Sequence, residues 1–237
     1  MKWLMGYTAA FCVLLLIIAQ SVFLPSFFLP YFSWHYERRD IPAVIGTSHD
    51  ELMYVTSGLL EYMRGRRGDL ESIYARFDDG ETRQFFTCPV EIIHMVDVME
   101  LYVGGFMIRN IAFWLFGFLV FAMAFFKYPI LPVLAQCCRE VVVGFLILLV
   151  ILAAVVAWDF DSAFVMFHLI FFSNDYWMLE PAHSYLINMV PIEFFVEVSV
   201  IVGLLLLLFS SVIIALGTWY LRSIGSGDET HTVAKFR

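Results

Sequence analysis

Two histidines stand in company that suits proton transfer. In CPVEIIHMVDVME, Cys88 to Glu100, the residues Glu91, His94 and Asp97 recur every three positions and share one helix face. Glu100 drifts round its edge. Carboxylates one turn to either side can orient an imidazole and stabilise its cation. In DFDSAFVMFHLIFFSNDYW, Asp159 to Trp177, His168 lies inside the apolar run Ala163 to Phe172. As a helix that run rises about 15 Å, half the hydrocarbon thickness of a bilayer. Phe164, His168 and Phe172 share a face at i, i+4, and Asn174 and Trp177 follow. A lone polar residue near a span end is more often a packing or snorkelling group, and His183, without such company, is read that way.

On the residues alone, three roles stay open for such a pair: acid–base catalysis, metal or haem ligation, and a non-catalytic pH sensor or lid. Glu91-x-x-His94 is half of a di-metal helix motif whose second Glu-x-x-His is absent. Nucleophile-based acyl chemistry has little support. There is no Gly-x-Ser-x-Gly elbow, and Ser173 and Ser184 lack a clear base. Cys88 is six residues from His94, on a different side of a helix. Acyl chemistry here therefore implies direct attack by a substrate amine or alcohol, assisted by histidine.

The elements that position these residues are membrane helices. The chain is 61% hydrophobic and 15% charged, far from the soluble norm. Four runs are long enough to span: Met5 to Phe28, Leu101 to Phe126, Val141 to Trp158 and Phe194 to Tyr220. The first, with no small-x-small cleavage site, reads as an anchor rather than a signal peptide. Lys127 and Arg139 flank the second connection, Lys2 precedes the first span, and Arg222, Lys235 and Arg237 follow the fourth. The third loop, Asp159 to Ile192, has no Lys or Arg. Positive-inside places both termini in the cytoplasm, and the long first loop, despite its seven arginines, translocates regardless. All three lysines are then cytoplasmic, and of the four cysteines only Cys88 faces outward, so no outer disulfide forms within the chain. The net charge of −8 argues against a nucleic-acid partner.

The expected fold is an all-α integral membrane protein of four transmembrane helices, with a long structured first outer loop and an interfacial helix in the third. Its parts are a first helix at 1–30, an outer loop or small domain at 31–100, a bundle at 101–222 carrying outer loop 159–192, and a cytoplasmic tail at 223–237. In loop one, Ser48 and Glu51 form a capping box. Leu52, Val55, Leu59 and Met63 then predict an amphipathic helix ending near Gly65 that lies on the bilayer surface or roofs the bundle. Arg64, Arg66 and Arg67 suit lipid phosphates or a solvated cluster. Asp78-Asp79-Gly80 marks a hairpin turn between Ile73-Tyr74 and Phe85-Phe86. Pro89 suits the first position of a helix running into the second span. Asp159, Asp161 and Ser162 cap the short helix of the third loop. Glu193 and Glu197 lie one turn apart at the outer end of the fourth span. His94, His168, Glu193, Glu91 and Asp97 thus fall at one depth on one side, where charge usually has a purpose.

At these residues the sequence resembles the bacterial lipoprotein intramolecular transacylases, a four-span family. The resemblance rests on Glu-x-x-His-Met-x-Asp-Val at Glu91 to Val98, and on Phe-His-x-x-Phe-Phe-x-Asn-x-x-Trp at Phe167 to Trp177. It rests equally on Leu-Ile-x-x-x-Pro then Phe-Phe at Leu186 to Phe195. The family's pattern carries an acidic residue shortly before the Leu-Ile pair, where this chain has Ser184, whose role is therefore open. The resemblance implies transfer of the sn-2 acyl chain of an S-diacylglyceryl-Cys lipoprotein to its free α-amine, giving the lyso-form N-acyl lipoprotein, at the outer face of the bacterial cell membrane. Implied partners are diacylated lipoproteins and membrane lipids; no cofactor or metal is implied. His94 and His168 are the expected acid–base pair, without an acyl-enzyme. His94, supported by Asp97 and Glu91, is expected as base, and His168 with Asn174 near the oxyanion, though the order can be reversed. Trp177 and Glu193 complete the supporting set, and Phe164, Phe171 and Phe172 are expected to grip acyl chains. The alternatives are a metal- or haem-binding membrane protein and a non-catalytic lipoprotein- or lipid-binding module.

Overall fold

A computed structural model describes residues 1–234 of the chain; Lys235 and Arg237, used above for orientation, lie outside the described residues. Its elements, in chain order, are α1 (Lys2–Ser26), α2 (Leu29–Arg39), α3 (Ile41–Ile45), α4 (His49–Met63), β1 (Tyr74–Arg76), β2 (Thr82–Gln84), α5 (Pro89–Phe125), α6 (Ile130–Trp158), α7 (Phe160–Phe171), α8 (Tyr185–Met189) and α9 (Ile192–Ala234). Among the described residues, four helices are long and apolar enough to cross a membrane: α1, α5, α6 and Ile192–Gly225 of α9. The 37 residues of α5 reach about 55 Å at the helical rise, well beyond a hydrocarbon core of roughly 30 Å.

Contacts divide the chain into two units. The first holds Met1–Val22, Met107–Ala157 and the chain from Val202 onward. Its buried clusters are small: Ala10, Met123, Val133 and Cys137 in one, Ile17, Val142 and Leu206 in the other. Its helices approach closely where side chains are missing. A Cβ on Gly217 would stand 2.9 Å from the Ala135 carbonyl oxygen, a backbone atom that cannot turn aside. Small residues at contacts are how membrane helices pack tightly.

The second unit holds Phe23–Phe106 and Trp158–Ile201, and its core is of the soluble kind. Ser48 caps α4 by accepting from the Glu51 backbone N–H at 3.2 Å. The Glu51 carboxylate accepts from the Arg76 backbone N–H instead of closing the capping box. Leu52, Val55, Leu59 and Met63 are all buried, but not against lipid. They join one core with Phe32 and Tyr36 of α2, with Ile73, Phe85 and Phe86 around the hairpin, and with Leu186, Met189 and Phe194. The apolar face of α4, expected to meet either the bilayer surface or the bundle, instead packs into this unit's own core. The partner is α2, which begins where the first expected span ends and runs into the expected outer loop. The hairpin pairs Tyr74 with Gln84 and Arg76 with Thr82, antiparallel, and turns at Gly80 with φ +85°. The loop-one arginines are engaged internally. Arg64 donates to Glu61 and lies over the Phe27 ring, Arg66 pairs with Glu61, and Arg67 donates to the Ser72 hydroxyl.

Candidate active site at the head of the fifth helix

The site lies within the second unit. Pro89 opens α5, where a proline costs no hydrogen bond, and the next turns carry Glu91, His94 and Asp97. The helix α7 is capped by Asp159, which accepts from the backbone N–H and the hydroxyl of Ser162, and it carries His168. The two imidazoles meet with ring centroids 6.1 Å apart. Both are buried.

His168 is held in one orientation. Its Nδ1 is 2.7 Å from the Phe164 carbonyl oxygen, one turn back on α7. A carbonyl only accepts, so Nδ1 carries the proton and donates, which leaves Nε2 as the bare lone pair of the neutral ring. Phe164 packs on the ring at 4.2 Å, Trp177 at 4.7 Å, and Phe167 and Phe172 complete the wall. This burial pushes His168 below its ordinary value, against the opposing effect of the Phe164 carbonyl. Phe172 also packs edge-on against His94 at 5.3 Å. Phe164 and Phe172 thus line the imidazoles, while Phe171 is exposed and packs on Phe167.

The expected carboxylate support of His94 takes another form, since neither Glu91 nor Asp97 hydrogen-bonds to its ring. Glu91 is fully buried and accepts from the Ser184 hydroxyl at 2.5 Å and the Leu186 backbone N–H at 3.2 Å. Ser184 is the N-cap of α8, so the pair ties α8 to α5. Asp97 accepts from the Asn174 side-chain amide at 2.9 Å, and Asn174 in turn accepts from the Tyr176 backbone N–H. Asn174 therefore staples the segment after α7 onto α5, with its amide committed away from the imidazoles. His94 Nδ1, Glu91 Oε1 and Trp177 Nε1 are buried without a hydrogen-bond partner among the described residues. Glu193 is exposed at the start of α9, and His183 is exposed and pairs with Glu180. Among the described residues, no three His, Cys, Asp or Glu side chains gather to hold a metal ion.

A second polar cluster escaped the sequence reading. Tyr31, His35 and Arg39 of α2 all reach the Glu197 carboxylate on α9. The available signal was their spacing, i, i+4 and i+8, which puts three donors on one helix face.

The sequence matches the family described as lipoprotein intramolecular transacylase Lit over residues 7–195. An in meso structure of the membrane-integral lipoprotein intramolecular transacylase Lit from Bacillus cereus is similar, with a TM-score of 0.74 and 18% identity over 95% of this chain and 98% of that one. Structures of the same protein with a histidine-to-arginine or a histidine-to-alanine mutation are each 19% identical with a TM-score of 0.70. They cover 96% and 95% of this chain and 95% and 96% of theirs, respectively. At such identity these likenesses establish the shared fold. No curated protein matches. The family match, spanning most of the chain and containing both histidine segments, shows that this protein belongs to the lipoprotein intramolecular transacylase family.

Proposed function

We propose that the chain transfers the sn-2 acyl group of an S-diacylglyceryl-Cys lipoprotein to that protein's own N-terminal amine, with His168 as the base. The observation that carries this reading is the 2.7 Å contact of His168 Nδ1 with the Phe164 carbonyl, which leaves Nε2 free to accept a proton. His94 takes the complementary tautomer. Its Nδ1 is buried without a partner, and a buried orphan N–H is rarer than an orphan acceptor, so its proton belongs on Nε2. The pair then offers one lone pair and one N–H, reversing the order expected from the carboxylates beside His94.

In this scheme His168 Nε2 takes a proton from the α-ammonium. The freed amine attacks the sn-2 ester carbonyl carbon, and the carbonyl electrons move to oxygen. His94 Nε2–H and the unpartnered Trp177 Nε1–H are the donors suited to that oxyanion. His168 passes the first proton to solvent and then takes a second from the attacking nitrogen of the tetrahedral intermediate. Collapse breaks the bond to the glycerol oxygen, which takes up that second proton from the histidine pair. An amide and a glycerol 2-hydroxyl result, and no acyl-enzyme forms. Amine and ester belong to one molecule, so positioning itself removes much of the barrier. Glu91, Asp97 and Asn174 act by holding α5, α8 and the post-α7 segment together, and the exposed apolar residues of α7, Phe171 among them, suit acyl chains. The basic residues beside the second connection support a site on the extracytoplasmic face, with both termini in the cytoplasm.

The test uses purified protein in detergent and a synthetic diacylglyceryl-Cys lipopeptide with a free amine. Transfer leaves the intact mass unchanged, so tandem mass spectrometry must locate the chain on nitrogen or glycerol. An N-acyl fragment made by the wild type and lost in His94→Ala and His168→Ala is the expected result. Near-normal turnover in either folded variant overturns the two-histidine scheme.

A further inference from the structure

The Glu197 cluster lies outside the proposed acid–base pair, yet it is built like a functional device. One carboxylate receives the Tyr31 hydroxyl at 3.0 Å, His35 Nδ1 at 3.1 Å and Arg39 Nη2 at 2.9 Å. Arg38 stands 3.8 Å away, its guanidinium over the Trp34 ring. His35 is fully buried, and its Nε2 and Arg39 Nε are buried without hydrogen-bond partners among the described residues. Bonds to an ionised group are about twice as strong as neutral ones, and here three converge on one residue.

Their geometric consequence runs along α9. Phe194, three residues before Glu197, packs beneath Tyr31, Phe32 and His35 with centroids 5.5, 5.1 and 5.1 Å away. Apolar packing holds the helix in place but is non-directional. Hydrogen bonds to Glu197 are directional and fix the rotation of α9 about its axis. That rotation decides where the neighbouring Phe195 points. Its ring is 5.4 Å from Phe164, and Phe164 is both the aromatic wall and the carbonyl acceptor of His168.

We propose that Glu197 is a positioning residue for the transfer reaction, acting from α2 through the first turns of α9, Phe195 and Phe164 on the His168 imidazole. This rests on the reading of His168 as base. Glu197 touches no substrate; it sets the angle at which Nε2 is presented. Gln at this position keeps the size but loses the charge and turns an NH2 toward existing donors. Removing Tyr31's hydroxyl takes away one donor of three and is the milder change.

The experiment compares wild type, Glu197→Gln, Tyr31→Phe, Phe195→Leu and the double variant Glu197→Gln/Phe195→Leu, all full-length in detergent. Three readouts are taken: kcat and KM for N-acyl formation, thermal stability, and the rate of His168 carbethoxylation followed by peptide mass spectrometry. The expected result is a kcat about tenfold lower in Glu197→Gln and about twofold lower in Tyr31→Phe, with KM within twofold. The double variant should fall no further than Glu197→Gln alone, because both changes act on one path. His168 should react several-fold faster with the reagent in both Glu197→Gln and Phe195→Leu. A lowered melting temperature with unchanged kcat per folded protein and unchanged His168 reactivity overturns the proposal, as does full additivity in the double variant. If the wild type makes no N-acyl product but His168 reactivity still responds to Glu197, the coupling stands and the transacylase reading falls.

Discussion

The two units use the same apolar residue types to opposite ends. In the unit of Met1–Val22, Met107–Ala157 and the chain from Val202 onward, large rings point outward: Trp114 is 73% exposed and Phe118 64%. In the other unit twenty buried residues form one continuous core. The difference follows from the solvent each surface expects. Lipid gives helices no hydrophobic reason to associate, which fits a first unit with only small buried clusters, a close approach at Gly217 and Ala135, and large rings left exposed. The second unit buries its apolar surface as soluble domains do, at a density that locks rotamers. The proposed proton transfer needs rings held to within a fraction of an ångström, and both imidazoles are in the unit that can hold them.

The largest expected contrast is in activity. His168→Ala should reduce N-acyl formation by at least about a hundredfold, the usual weight of a positioned acid–base group, with the protein still folded. Lipopeptide fragmentation measures it. Next comes stability within the densely packed unit. Ser184→Ala removes the hydroxyl donor of a fully buried carboxyl group, which should cost about 1–3 kcal/mol. Thermal or denaturant unfolding in detergent reads that loss; an unchanged midpoint would mean that the Ser184–Glu91 tie holds little together.

How much of this was legible depended on the range of the interaction. Local signals worked. Ser48 and Asp159 read as caps and do cap, Pro89 read as a helix start and opens α5, and Asp78-Asp79-Gly80 turns a hairpin. The meeting of His94 with His168 followed from span ends falling at one depth. What the sequence hid was pairing at a distance. Tyr31, His35 and Arg39 are separated from Glu197 by most of the chain, and nothing local says that α2 faces α9. The tautomer of His168 was hidden differently, because its partner is a backbone carbonyl, which every residue possesses. Asn174 belongs with the distant pairs: the resemblance singled it out, but its commitment to Asp97 rests on how the post-α7 segment folds back.

The third test uses pH to ask whether aromatic burial tunes the proposed base. His168 lies below its ordinary 6.5 because burial disfavours its charged form. A base must be unprotonated, so activity should rise with pH through that lowered value and be fully present above 6.5. The stability sign agrees. Between the two values the unfolded chain binds more protons, so His168 favours folding less as pH falls below 6.5. Trp177→Ala opens one wall of the ring and should move the acid limb of kcat/KM up toward 6.5. The position of the limb, not its height, is the readout, since Trp177 also carries the N–H suited to the oxyanion. A limb that stays put would show that Trp177 does not desolvate the base.

The smallest effect is expected in the other unit, and it bears most directly on the contrast. Phe118 is on α5, the helix that also carries His94, but its ring is exposed in the span unit. If that ring meets only lipid, Phe118→Ala exchanges one apolar surface for another. Neither turnover in detergent nor the unfolding midpoint should move beyond the roughly 0.5 kcal/mol typical of surface changes. Gly217→Leu is the counterpart within the same unit, since its side chain would have to enter the space of the Ala135 carbonyl. It should destabilise the protein clearly while leaving kcat per folded molecule intact. Should Phe118→Ala instead lower kcat in stable protein, the rings of the span unit would be part of the catalytic geometry. The division of labour between the two units would then be wrong.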